Sequence, residues 1–431
     1  MTDMYCVIGK KLAHTLSPEI HRAYFELSGR QGEYTAVELT EEEIARGREF
    51  LLGYDGVNVT IPYKQAVMPL LDGISDEARE IGAVNTIKRE GGKLFGYNTD
   101  PYGFEAMLAS RGIDPSGKSA YVLGYGGAAR SVIYALNRLG ADVTVVSRDP
   151  ARAAADGHAA IDYEELAQRE GYLLVNCTPM GMFPNADASP VGDDVVARFD
   201  AAADLIYNPV LTRFLRSAIS LGKRAVGGLY MLVAQAMKSQ HIWTGDDGAE
   251  ALTKTVYDRI ARGFLRDTGN IWLIGMPGCG KTTFGSWTAQ KTEREFVDAD
   301  AYVQHLSGMT IAEMFERGED FFRDEESEAI ACLACRKGLV IATGGGAVLR
   351  DFNIDCMRLS GTTVFIDRAP ADIIADVDYA SRPLLVQGAE RVWRLYGERK
   401  DRYAAAAQIT IENDTDEREV FDRILSALGE K

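Results

Sequence analysis

The stretch LIGMPGCGKTT, Leu273 to Thr283, constrains this chain more than any other. An apolar run ending in G-x-x-x-x-G-K-T, with Gly275, Gly280, Lys281 and Thr282 in the fixed places, is a loop whose backbone N–H groups surround phosphates before a helix begins. Gly278, Cys279 and Thr283 complete the nucleotide-facing part of that loop. Lys281 would neutralise developing phosphate charge and Thr282 would bind magnesium. Pro277, inside the loop, removes one of its N–H groups. The loop comes late, for more than half of the chain precedes it, and that earlier part holds a second glycine-rich turn, VLGYGGAAR, Val122 to Arg130.

The second turn lies between a β-rich run and a helical one, so Gly124, Gly126, Gly127 and Ala128 can bring backbone N–H groups to a different phosphate. Its spacing, G-x-G-G-A, departs from G-x-G-x-x-G, and a plain strand-to-helix turn is the alternative reading. The following strand, VTVVSRDPAR, narrows the choice. An acid at its end would hold a ribose 2'-hydroxyl and select NAD, but Ser147 and Arg148 stand there. Arg148, with Arg152 one helical turn on, could grip a 2'-phosphate through charge-assisted hydrogen bonds worth about 1.5 to 3 kcal/mol each, which predicts NADP; two solvated arginines are the alternative. Asp149 puts an acid beside this clamp.

Two nucleotide loops need room, and 431 residues at roughly 150 per domain suggest about three domains. Hydrophobic residues at 46% against 26% charged are enough to bury several sheets. A net charge of −16 argues against nucleic acid as a partner, since affinity for phosphate backbone rests on clustered cations. The six cysteines form no disulfide framework, and Cys332 and Cys335, the one C-x-x-C pair, sit in a helical stretch where buried helix cysteines are expected. No signal peptide opens the chain and no run approaches the roughly 18 apolar residues of a membrane span, so a cytoplasmic protein without a membrane partner is expected.

Strand-like runs YCVIG, GVNVTI, AYVLG, DVTVVS, YLLVNC and ADLIY alternate with helix-period segments up to about Gly245. GAEALTKTVYDRIARGFL would close this first unit as an amphipathic helix, with RDTGN as the break. IWLIG, GLVIAT and TTVFID then restart the α/β rhythm.

Upstream of the second turn, HTLSPEIHRAYF, VNVTIPYKQAV, GAVNTI and GYNTDPYGF offer Thr15 and Ser17 hydroxyls, Lys64 after a strand, and Asn85 and Asp100 at the ends of apolar segments. Such a set suits a polyhydroxylated ring beside a proton donor. Together with NCTPMGM, DLIYNPVLT and GGLYMLVAQA, in this order and spacing, these segments resemble shikimate dehydrogenase from Met1 to about Leu265. The resemblance implies reversible reduction of 3-dehydroshikimate by NADPH, with Lys64 and Asp100 as catalytic residues and Lys64 as the proton donor. It also implies a shikimate pocket lined by Thr15, Ser17, Thr60, Asn85, Tyr207 and Gln235. Lys10, Thr15, Tyr125 and the Ser-Arg-Asp triplet depart from the family pattern.

Downstream of the phosphate loop, DAD places Asp298 and Asp300 on one side of a short strand, GEDFFRDEE contains F-R-x-x-E through Arg323 and Glu326, and ATGGGAV is a backbone-rich loop. Aspartates to accept hydroxyl protons and arginines to fork a carboxylate suit a hydroxy-acid substrate. The set resembles shikimate kinase from about Ile271 onward, with SRPLL and ERKDRY included. That resemblance implies Asp298 in the magnesium shell, Asp300 on the substrate hydroxyl, Arg323 and Arg399 on the carboxylate, and substrate contacts from Gly344, Gly345 and Gly346. Arg382 would belong to a lid over ATP. At Arg399, where GERKDR offers neighbouring candidates, a solvated surface arginine is the favoured plain reading.

The expected architecture is α/β: a two-domain dehydrogenase, then a P-loop kinase domain of the nucleoside-monophosphate-kinase type. A substrate domain over 1–101 is completed by 236–265, a Rossmann-like NADP domain spans 102–235, and the kinase domain spans 271–431. The expected function joins NADPH-dependent formation of shikimate to its MgATP-dependent phosphorylation, giving shikimate 3-phosphate. The alternatives are a chain with one non-catalytic unit, and a quinate-type dehydrogenase fused to another small-molecule kinase.

Overall fold

Parallel strands buried on both faces read as unbroken apolar runs, and the centres of this fold are built from such runs. The structure, a computed structural model, describes residues 2–12, 15–376 and 389–430, with the side chains of all of these except 266–268. Its contacts divide the chain into two compact units. The first comprises Met1–Met182, Ala188–Asn208 and Ser217–Arg262, and the second Phe183–Asp187, Pro209–Arg216 and Gly263–Lys431.

The first unit holds two six-stranded sheets. One contains β1 (Asp3–Gly9), β2 (Gly32–Glu38), β3 (Gly56–Val59), β4 (Gly73–Ile74), β5 (Thr86–Glu90) and β6 (Lys93–Tyr97), in the order β2-β1-β3-β5-β6-β4. β1 pairs in parallel with β2 and β3, whereas β3–β5 and β5–β6 are antiparallel. Cys6, Ile8, Val57, Val59, Tyr63 and Val84 form its core.

The other sheet is parallel throughout: β7 (Ser119–Leu123), β8 (Asp142–Val146), β9 (Ala159–Ile161), β10 (Gly171–Asn176), β11 (Phe199–Asp204) and β12 (Arg224–Gly227). The order β12-β11-β10-β7-β8-β9 is that of a doubly wound dinucleotide fold, in which ligands lie where the order reverses, here between β7 and β10. Its core joins Val122, Val145, Leu173 and Val175 to Phe104, Met107 and Leu108 of the helix Asp100–Ala109.

The second unit has a five-stranded parallel sheet of β13 (Asn270–Ile274), β14 (Glu295–Asp298), β15 (Leu339–Ala342), β16 (Gly361–Asp367) and β17 (Ile409–Glu412). The order is β14-β15-β13-β16-β17, with the wholly buried NIWLI strand at the centre.

Two local expectations are corrected. RDTGN does not break the chain as a block: the helix Thr253–Thr268 runs through its first three residues and stops only at Gly269, because Arg, Asp and Thr tolerate a helix and Gly disfavours one. Nor do Asp298 and Asp300 share a strand. β14 ends at Asp298, whose carboxylate caps the helix Ala299–Ser307, and Asp300 lies in that helix's first turn. Cys332 and Cys335 lie at the end of the helix Glu319–Cys335, Cys335 buried and Cys332 half-buried, both as free thiols. No helix among the described residues is long and apolar enough to cross a membrane. Arg382 and the SRPLL segment lie outside the described residues.

Candidate active sites

In the first unit, three segments distant in sequence meet at one carboxylate. Lys64 follows β3, Asn85 precedes β5, and Asp100 opens the helix Asp100–Ala109, where a negative charge is favoured by the helix dipole. Lys64 Nζ lies 2.5 Å from Asp100 Oδ2, with the two side chains 25% and 12% exposed. The other carboxylate oxygen accepts from Asn85 Nδ2 at 2.8 Å, and Asn85 Oδ1 in turn accepts from the Thr99 N–H at 2.8 Å. Both oxygens of Asp100 are thereby committed, which fixes where the lysine points.

Ser17, Thr60, Lys64, Asn85, Asp100, Tyr207 and Gln235 line one cavity of about 220 Å³. Burial pushes the Tyr207 hydroxyl up from its ordinary value. Thr15 is not in the cavity wall; its hydroxyl donates to Ser17 Oγ at 3.2 Å and so acts one residue removed. Sequence reasoning missed Asn58, which also lines the cavity. Asn58 lies in the VNVTI run two residues before Thr60, and that nearness is the one signal the sequence offers for it. It also missed Ser239, fully buried, whose hydroxyl accepts from Asn58 Nδ2 at 3.0 Å and lies 2.8 Å from Thr86 Oγ1. No motif marks that serine.

The glycine turn adjoins this cavity, since Ala128, in the first turn of the helix Gly127–Arg138, lines it as well. Gly124 follows β7 with φ of +93°, and a Cβ there would stand 2.9 Å from the Thr178 side chain, so only glycine serves. A Cβ on Gly126 or Gly127 would meet nothing within 4 Å, which leaves the helix N-terminus open to an anion. Ser147 and Arg148 follow β8, and Arg152 lies on the helix Pro150–Ala155. Both arginines are exposed and make no ion pair with a described residue. The Asp149 N–H donates to Ser147 Oγ at 3.2 Å. This arrangement fits a dinucleotide with a charged 2' substituent.

In the second unit the phosphate loop leaves the central strand β13. Gly275, Gly278 and Gly280 have φ of +144°, +88° and +95°, a backbone that turns successive N–H groups inward. Cys279 is buried, and Thr283 is exposed in the first helical turn after the loop. Lys281, 8% exposed, donates to the carbonyls of Gly275 and Met276, each at 2.9 Å. Thr282 Oγ1 lies 3.4 Å from Asp298 Oδ2. Among the described residues no group of three or more His, Cys, Asp or Glu side chains could hold a metal ion. The Thr282 hydroxyl and Asp298 carboxylate are oxygen donors that fit a hard cation, its remaining ligands being phosphate oxygens and water.

Pro277 has a use in the fold: its ring lies where a Cβ on Gly345 would be, 2.7 Å away, so it packs the phosphate loop against Gly344–Gly346. That second loop in turn covers Arg323. A Cβ on Gly346 would stand 2.2 Å from Arg323 Nη1, so any side chain there must displace the guanidinium. Arg323, 6% exposed, is held by Glu326 Oε2 at 2.7 Å and by Glu319 Oε1 at 3.1 Å. The place of a Gly344 Cβ is 2.6 Å from Asp300 Oδ1 and 2.9 Å from Glu326 Oε1, which brings the two carboxylates to the same loop. Burial and then Asp298 raise the Asp300 carboxyl, with Lys281 and Arg323 opposing. Burial likewise raises Glu326, with Arg323 opposing.

Arg399 is 5% exposed and donates to the Gly345 carbonyl at 2.9 Å, which corrects the plain reading of a solvated arginine. Its helix Ala389–Ala406 buries the face that carries Val392, Leu395, Arg399 and Tyr403. The F-R-x-x-E motif gives Glu326 no role of its own; its partner Arg323 is one helical turn away, but burial, which makes the pair matter, is not visible in a string. Arg368 and Asn413 were missed. They donate to the Gly278 and Cys279 carbonyls at 3.1 Å each and brace the phosphate loop from the ends of β16 and β17.

Comparison with known proteins agrees with the two-unit geometry. A family model described as shikimate dehydrogenase substrate binding domain matches residues 7–87, and one described as shikimate kinase matches residues 277–429. The shikimate dehydrogenase (NADP(+)) of Clostridium beijerinckii is 44% identical over 261 residues, which are 59% of this chain and 97% of that protein. The enzyme of the same name from Thermus thermophilus is 41% identical over 246 residues, 56% of this chain and 92% of its own. Among solved structures, a chorismate mutase/shikimate 5-dehydrogenase fusion protein from Clostridium acetobutylicum matches with a TM-score of 0.59 and 41% identity, covering 60% of this chain and 97% of that one. A Thermus thermophilus shikimate 5-dehydrogenase in complex with NADP(H) and shikimate matches with a TM-score of 0.55 and 36% identity, covering 60% of this chain and all of that one, 100%.

Proposed function

The chain belongs to the shikimate dehydrogenase family through its N-terminal part and carries a shikimate kinase domain after it, and from that premise we propose that it reduces 3-dehydroshikimate with NADPH and phosphorylates the resulting shikimate with MgATP. Bound NADPH would supply the hydride and bound MgATP the phosphoryl group.

In the first reaction Lys64 gives a proton to the carbonyl oxygen as hydride reaches the carbonyl carbon, so the oxygen never carries a full charge. The Asp100 carboxylate, 2.5 Å from Lys64 Nζ, keeps the ammonium aimed, and Asn85 keeps the carboxylate in place. In the reverse direction Lys64 takes the hydroxyl proton. Ser17, Thr60, Tyr207 and Gln235 hold the ring hydroxyls and carboxylate, and Thr15 supports Ser17. Gly124, Gly126, Gly127 and Ala128 receive the pyrophosphate, and Ser147, Arg148 and Arg152 the 2'-phosphate.

In the second reaction Asp300 would accept the 3-hydroxyl proton as that oxygen attacks the terminal phosphorus of ATP, whose bond to the bridging oxygen breaks to release ADP. Arg323 and Arg399 fork the substrate carboxylate beside Gly344–Gly346. Gly275–Thr283 cradles the phosphates, Lys281 offsets their charge, and Thr282 with Asp298 holds magnesium. Arg382 remains the proposed lid residue.

The observation that supports this reading most is the Lys64–Asp100 pair in the wall of a cavity that the cofactor turn also lines. The test is one coupled assay in which the whole chain receives 3-dehydroshikimate, NADPH and ATP and shikimate 3-phosphate is quantified. NADPH oxidation without ADP formation would sink the kinase half. No NADPH oxidation, with ADP formed from added shikimate, would sink the dehydrogenase half.

A further inference from the structure

Tyr125 stands between Gly124 and Gly126 of the cofactor turn, yet its side chain leaves that turn. Its hydroxyl donates to Asp156 Oδ2 at 2.7 Å, and its ring meets His158 edge-on with centroids 5.6 Å apart. The Arg130 guanidinium lies 5.8 Å from the Tyr125 ring centroid, and its Nη2 is 3.4 Å from the same Asp156 oxygen. Asp156 is the C-cap of the helix Pro150–Ala155, an end at which the helix dipole disfavours a negative charge.

Asp156 is also four residues beyond Arg152. Arginine and aspartate at that spacing lie one helical turn apart, within reach of pairing. Here they do not pair: Arg152 makes no ion pair with a described residue and acts on Asp156 only from beyond ion-pair distance, while the Asp156 carboxylate is taken up by Tyr125 and Arg130. The Tyr125 hydroxyl is the first cause holding that carboxyl below its usual range.

We propose that Tyr125 is a specificity-determining residue for the cofactor: by binding Asp156 it withholds that carboxylate from Arg152 and leaves the guanidinium free for the 2'-phosphate of NADPH. Tyr125 is a positioning residue, not a catalytic one, and its role rests on the reading of Arg148 and Arg152 as the phosphate clamp. Tyrosine in a phosphate turn then has a purpose that its spacing does not reveal.

The test uses the full chain and measures KM and kcat for NADPH and for NADH with 3-dehydroshikimate. Tyr125→Phe keeps the ring but frees Asp156 to pair with Arg152, so KM for NADPH should rise about two- to fivefold, the range of an exposed ion pair. The kcat and the KM for NADH should stay as they are. In the double variant Tyr125→Phe/Asp156→Asn the amide carries no charge to compete, and KM for NADPH should return to the parental value. Failure of that rescue, or an equal rise in KM for both cofactors, overturns the proposal. Arg152→Ala separates it from its premise. If this variant leaves the NADPH preference untouched, the clamp reading itself falls; if it lowers the preference while Tyr125→Phe is silent, only the role of Tyr125 falls.

Discussion

Two side chains decide most of the predicted chemistry, and each can be removed singly. Lys64 is partly exposed to the cavity and held by one carboxylate, so Lys64→Ala should leave the fold intact while lowering the dehydrogenase kcat about 10²- to 10⁴-fold, the usual worth of a general acid. Near-normal turnover by a folded variant would exclude Lys64 as the proton donor. In the second unit Gly346→Ala would push a methyl group into the Arg323 guanidinium, 2.2 Å away. The arginine must then leave its pair with Glu326, and KM for shikimate in the kinase assay should rise while NADPH oxidation is unaffected. An unchanged KM would mean that Arg323 does not hold the substrate. Lys64 and Asp100 were legible as candidates because Lys64 follows a strand-like run and Asp100 ends an apolar segment, in segments that resemble the dehydrogenase pattern in order and spacing. Ser239 and Glu326 were not, because what makes them count is burial, 0% and 2% exposed, and the partners that burial imposes. Asp300 was recognised, but on the wrong element, since a capping carboxylate at Asp298 ends the strand that the D-A-D pattern suggests.

Among elements, the helix Ser17–Ser28 carries a titratable group into the core. His21 is fully buried, its ring stacked on Tyr34 at 4.0 Å and its Nδ1 2.7 Å from Gln240 Nε2 in the helix Leu229–Thr244. Burial pushes its pKa down to about 3 from 6.5. The unfolded chain therefore takes up a proton near pH 6.5 that the folded chain refuses until about pH 3, and stability falls on acidification through that window. The slope is up to about 1.4 kcal/mol per pH unit from this group alone. Thermal unfolding at pH 7 and pH 5 should show a smaller acid loss for His21→Phe than for the parent; parallel losses would exclude His21 as the source. The long apolar strands, β7, β10, β13 and β16 among them, were legible as such. Edge strands such as β2 (GEYTAVE) and β17 (ITIE) were not, because half-exposed strands of mixed polarity lack the continuous apolar run.

For the whole molecule, two sites with separate residues predict separable activities. Lys281→Ala should abolish ADP formation with shikimate and leave the dehydrogenase kcat unchanged, while Lys64→Ala should do the reverse. A change in both activities from either substitution would contradict independent sites. The restart of the α/β pattern at Ile271 was legible from the phosphate loop and its strand. The grouping of Phe183–Asp187 and Pro209–Arg216 with the second unit was not, because it is a property of contacts and not of sequence order. Both nucleotide turns leave strands flanked on each side by others, β7 between β10 and β8, and β13 between β15 and β16. Amide protons on such strands exchange only when a large cooperative part of the unit opens, whereas edge strands release theirs through local fraying. Hydrogen exchange should thus find β7 and β13 among the slowest-exchanging strands and β9, β14 and β17 earlier. The substrate and clamp loops can then loosen during turnover on a timescale of their own, while the two phosphate cradles stay anchored to the parts of the chain that open last.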